Sequence, residues 1–134
     1  MSKDSNFLIT NKKLLHRSKF TKEGGLFELI KNTILGEKYE LSLVFTTTKE
    51  ILKLNKIYRN IKKPTDILSF PLSDTTGEIF ICLSETKKKM VDFKRTYENF
   101  LTFLFIHGLV HLKGYDHGNK MEKVEIKFRQ KFGI

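Results

Sequence analysis

A chain of 134 residues with 40% apolar residues, 12 of them Phe, is long enough to bury one core, and 25 Lys and Arg against 15 Asp and Glu leave it at +10. The single cysteine, Cys82, excludes an internal disulfide, and the longest apolar run, Phe100 to Leu112, is too short and carries too much histidine to span a bilayer. The surplus of positive charge favours an anionic partner, nucleic acid first, although charge speaks to partners rather than to fold.

In chain order, Phe7 to Thr10 reads as a short strand, followed by the basic residues Lys12, Lys13, Arg17 and Lys19. Leu26, Phe27, Leu29, Ile30 and Ile34 have helical spacing, and Gly36 ends that helix. Tyr39, Leu41, Leu43 and Phe45 alternate as one face of a strand. Thr47 and Glu50 form a capping box that opens a helix running to about Tyr58. A polar basic loop follows, Arg59 to Asp66. Ile67 to Phe70 and Ile79 to Leu83 read as two strands about a turn at Asp74 to Gly77. Ser84 is placed to cap a basic helix carrying Lys87, Lys88 and Lys89, which cannot all face one way. Thr96 or Tyr97 starts an apolar helix buried on nearly all sides, and a charged helix from about Lys120 to Lys131 closes the chain. There is no repeat and no Gly/Ser/Pro-rich linker, so one domain, 1–134, is expected. Its class is α+β: a small sheet with helices packed against it. The start has no apolar segment of the kind that opens a signal peptide, and a lone buried thiol suits a reducing, cytoplasmic setting with no membrane.

Three of the four histidines fall within eleven residues, at His107, His111 and His117. The first two lie four apart on one helical face. Gly114 is free to take a positive φ and turn the chain so that His117 returns to the same point. Three imidazoles converging there form a catalytic-type zinc site with a fourth position open, and nickel, cobalt or copper suit the same ligands. A metal also removes the cost of leaving imidazoles unpaired in so apolar a helix. Asp116 is a turn residue first, and a ligand-orienting or proton-moving group second. The spacing is that of the metzincin metalloproteases, H-E-x-x-H-x-x-G-x-x-H, but Gly108 stands where those enzymes carry their general-base Glu. A zinc peptidase is therefore the weaker enzymatic reading.

His107 through His117 is similar to the signature H-G-x-x-H-L-x-G-Y-D-H of the YbeY endoribonucleases, the bacterial rRNA maturation factors. Leu54 through Pro71 resembles that family's L-N-x-x-Y-R-x-x-x-x-P-T-D-V-L-S-F-P block, with Ile67 in place of valine. Gly77 through Ile81 is similar to its G-[DE]-I-x-I strand. The resemblance covers roughly residues 39 to 120. It implies zinc ligands at His107, His111 and His117 and a functional arginine at Arg59. It further implies single-strand-specific endoribonuclease activity in rRNA maturation, at the 3′ end of 16S rRNA, and in ribosome quality control, with the ribosome or a small-subunit precursor as partner. The implied fold is zincin-like, a mixed sheet packed around a central metal-bearing helix.

In chemical terms, an arginine fork clamps charge developing on a phosphoryl group better than lysine does, and Lys62 and Lys63 are placed to follow an RNA backbone. Phe70 and Tyr115 are candidates for base stacking, with buried packing the first expectation for Phe70. No general base is evident. Either water on the metal or the RNA's own 2′-hydroxyl is open as the attacking group. A non-catalytic RNA-binding assembly factor with a bound metal is the alternative outside the enzymes.

Overall fold

The computed structural model describes residues 6–11, 21–22 and 24–134; the basic residues Lys12, Lys13, Arg17 and Lys19 lie outside this set. Strand β1, Phe7–Thr10, pairs in parallel with β2, Glu40–Thr46, and β2 pairs in parallel with β4, Thr76–Cys82. Strand β3, Ile67–Ser73, lies antiparallel on the far side of β4, giving the order β1-β2-β4-β3. The sheet is therefore mixed, as expected. Its strands β3 and β4 meet closer to the turn than the sequence suggests. Thr76 and Gly77 pair with Glu40 and Leu41 of β2, so the sheet recruits residues that read as loop.

The pleat sends alternate residues to opposite faces. Ile79 and Ile81 join Leu41, Leu43 and Phe45 in the main core, while Phe80 and Cys82 face a smaller cluster. Helix α1, Leu26–Leu35, and helix α4, Tyr97–Leu112, pack on the first face through Phe27, Ile30, Ile34, Phe105 and Leu109. The rings of Phe27 and Phe105 stack at 4.3 Å. Helix α2, Thr48–Arg59, covers the other face through Ile51 and Leu54. Phe70 packs there edge-on between Tyr58 and Phe80, which is the packing role expected of it.

The capping residues are informative. Thr47 Oγ1 accepts from the Glu50 amide at 3.3 Å, and Thr96 Oγ1 accepts from the Asn99 amide at 3.1 Å, so both helices start where the sequence places them. Ser84 is different. Helix α3, Leu83–Met90, begins two residues earlier with Cys82 as its N-cap, and the Ser84 hydroxyl instead meets Thr48 Oγ1 at 2.7 Å. The α3 lysines diverge as geometry requires: Lys87 lies over the Tyr97 ring, Lys88 pairs with Glu85 and Lys89 with Asp66. The last helix, α5, spans Asn119–Lys131. No helix among the described residues is long and apolar enough to cross a membrane.

Candidate metal centre

Ten of the sixteen residues of α4 are buried, which makes it the central helix and fixes the face its histidines present. Gly108 explains how the helix comes so close to the sheet. A Cβ there would stand 2.9 Å from Ser69 Oγ and 3.0 Å from the terminal carbons of Ile67 and Ile79. The position that holds a catalytic Glu in the metzincin spacing is therefore filled here by the β3–β4 surface.

After Leu112 the chain turns at Gly114, whose φ of 113° suits glycine, and its amide donates to the His111 carbonyl at 3.0 Å. His117 is carried back so that its Nε2 lies 3.2 Å from His111 Nε2. One nitrogen from each of His107, His111 and His117 falls within 4.8 Å of the others. Tetrahedral zinc with bonds of about 2.0–2.1 Å places its ligand nitrogens roughly 3.3 Å apart, so the donor set and the His111–His117 spacing fit such an ion.

The far side of two rings is also held. The His111 Nδ1–H faces the Tyr115 carbonyl at 3.1 Å. His107 Nδ1 lies 3.1 Å from both carboxylate oxygens of Glu125, a largely buried residue of α5 that Arg129 Nη1 approaches at 3.5 Å. These contacts select the tautomer with Nε2 free for a metal. Burial, and then the neighbouring His107 and His117, push the His111 pKa below its ordinary value, which keeps that imidazole neutral.

The histidines form one wall of a cleft of about 850 Å³. Arg59 also lines it, delivered from the opposite face of the sheet as the last residue of α2. Asn60 ends that helix in the left-handed region at φ 57°, and the buried Asn55 side chain ties the following loop by donating to the Lys63 carbonyl at 2.9 Å. Lys62 and Lys63 are exposed on this loop and do not line the cleft. Asp66, Lys89, Tyr115 and the exposed Asp116 do. Sequence reasoning missed Glu125, and gave Asp66 only a role in capping or turning its loop. For Glu125 a signal existed: it lies four residues after Met121 and three before Phe128, on the buried stripe of an otherwise charged helix.

A family model for Endoribonuclease YbeY matches residues 11–133. The chain is 36% identical over 116 residues to the Endoribonuclease YbeY of Acholeplasma laidlawii, covering 81% of this chain and 85% of that protein. It is 44% identical over 96 residues to the Endoribonuclease YbeY of Aliarcobacter butzleri, covering 67% of each. Its fold is similar to a solution structure of a Thermotoga maritima protein, with a TM-score of 0.65 at 26% identity, over 95% of this chain and 89% of that one. Histidine cluster, mixed sheet and sequence likeness agree: the chain belongs to the Endoribonuclease YbeY family.

Proposed function

We propose that this chain is a zinc-dependent, single-strand-specific endoribonuclease of the cytoplasm, built as one domain over 1–134. Its substrate is ribosomal RNA, at the 3′ end of 16S rRNA, and its partner is the ribosome or a small-subunit precursor, in maturation and quality control. Family membership makes the chain a metal-dependent hydrolase of RNA phosphodiester bonds. The observation that carries the finer reading is the convergence of three imidazoles on a solvent-open cleft with Arg59 on its wall.

His107, His111 and His117 would hold the ion, leaving the side toward the cleft for substrate. Zinc bound there acts as a Lewis acid toward water or a phosphate oxygen. Glu125 and the Tyr115 carbonyl keep two of the ligand rings in place and in the right tautomer. Arg59 meets the phosphoryl group in flight with a planar fork of N–H donors, countering charge as it grows. Lys62 and Lys63, on the loop after Arg59, take flanking backbone phosphates beyond the cleft. Of the cleft carboxylates, Asp66 is buried against Lys89, while Asp74 and Asp116 are exposed; Asp116, next to His117 in the chain, is our candidate for moving a proton.

The test is cleavage of single-stranded and duplex RNA by wild type and by His111→Ala purified identically. Wild type cuts the single strand, contains about one zinc per chain and is stopped by a chelator; His111→Ala neither cuts nor holds metal. Arg59→Ala keeps its metal and loses roughly a hundredfold in rate. Equal cutting by wild type and His111→Ala would refute the assignment. Intact processing by Arg59→Ala, together with loss of the fold in a metal-ligand variant, would favour a non-catalytic RNA-binding role in ribosome assembly.

A further inference from the structure

Helix α4 leaves one stripe half-open along its length. Asn99, Phe103, His107 and His111 recur every four residues, each only partly buried, so the metal centre is the end of a longer surface track. At Phe103 the track becomes strongly cationic. The Arg95 guanidinium lies 4.6 Å from the centre of the Phe103 ring, and the Arg129 guanidinium lies 4.7 Å from the same centre. Phe93 and Phe100 pack against that ring and fix it. Arg95 is also tied to Asn99 Oδ1.

Two cations share this ring, and the carboxylate beside them is already engaged. Glu125 meets Arg129 at 3.5 Å while both its oxygens face His107. Burial, and to a lesser degree the nearby Arg129, lower the Arg95 pKa. Folding alone gains little from holding like charges this close. Each guanidinium spends Nη1 on a neighbour, Arg95 on Asn99 and Arg129 on Glu125, and keeps further N–H donors of the kind that grip phosphate oxygens. Lys94, Arg95, Thr96 and Asn99 also line a concave surface at the start of α4, where the helix end favours negative charge.

We propose that Arg95 and Arg129, braced on Phe103, form a phosphate-binding subsite for a single RNA strand that runs from the metal centre along the open stripe of α4. This deepens the endoribonuclease reading and rests on it. Phe103 is about one helical turn, roughly 6 Å, from His107. At about 3.4 Å per stacked nucleotide, the subsite holds a phosphate about two nucleotides from the one at the metal. It grips backbone and reads no base. An acidic protein segment would suit the same guanidiniums, but continuity with the histidines favours the nucleic acid.

The experiment uses full-length protein freed of metal by chelation, so that RNA is bound and not cut. Affinity for a short fluorescent single-stranded RNA is measured across a salt series for wild type, Arg95→Gln, Arg95→Lys and, as a control of equal charge loss, Lys38→Gln, a change at the exposed α1–β2 turn. Arg95→Gln should bind roughly three- to tenfold more weakly, and its log–log salt slope should shrink by about 0.7, one phosphate's worth on a single strand. Arg95→Lys should keep the slope, and Lys38→Gln should match wild type. Should Arg95→Gln fail to fold, amide exchange of wild type decides: residues 94–99 slow when RNA is added. An unchanged slope in Arg95→Gln, the same loss in Lys38→Gln, or no protection at 94–99 would overturn the subsite. So would a polyglutamate peptide whose binding needs Arg95 while RNA binding does not. Wild type that binds and, with metal restored, cuts RNA keeps the endoribonuclease reading even then; wild type that does neither removes both.

Discussion

Removing the Glu125 carboxylate tests whether the metal centre depends on a residue outside the histidine motif. Both oxygens sit 3.1 Å from His107 Nδ1, and the side chain is only 10% exposed, so solvent screens the contact weakly. Loss of such a partner typically weakens metal binding by about 10- to 100-fold, which is roughly 1.4 to 2.8 kcal/mol. Glu125→Ala removes every acceptor and also strands Arg129, so it belongs at the upper end. Glu125→Gln keeps one carbonyl for the Nδ1–H and belongs at the lower end, about tenfold. Zinc affinity is read by competition with a chelator of known strength near pH 7.5, alongside urea unfolding of the metal-free proteins to separate site from fold. A Glu125→Ala protein that folds normally without metal and binds zinc within about twofold of wild type would refute the reasoning.

Gly108→Glu, which restores the protease spacing, should cost about 3 kcal/mol or more in urea unfolding and yield no casein cleavage, because the side chain is driven into Ser69, Ile67 and Ile79. Thr96→Ala should cost about 1 kcal/mol by removing the cap of α4, read as a lower urea midpoint at unchanged slope. The depressed His111 pKa makes a pH prediction for the metal-free protein. Unfolded, that imidazole takes its proton near about pH 6.5; folded, it does so only at lower pH, so stability falls as pH drops below the unfolded value and levels off below the folded one. Urea midpoints from pH 7.5 downward should therefore decline less steeply in His111→Gln than in wild type.

What could be read from the sequence was what the chain encodes locally. The capping residues Thr47 and Thr96, the alternation from Tyr39 to Phe45 and the histidine spacing all act within a few residues, and each element lies where that chemistry puts it. What escaped depends on distant partners. Ser84 looked like a cap, but its hydroxyl is taken by Thr48, 36 residues earlier. Thr76 and Gly77 looked like turn until β2 lay beside them. Gly108 registered as a missing acid, whereas its positive role, letting α4 settle on β3 and β4, needs the sheet. Glu125 sits 18 residues from His107 on another helix, and a charged segment hides one acid among several.

The three histidines are close along the chain as well as in space, and this bears on what the ion does for the fold. Eleven residues close into the site, most of them on a helix whose other side chains already pack into the core. The loop to be closed is short, so the entropy lost in gathering the ligands is small, and an unfolded chain retains part of the same affinity. An ion that binds both states moves the balance between them only by the ratio of its two affinities. The fold is thus supported by its apolar core, and the ion can be taken up or exchanged by a domain that is already built.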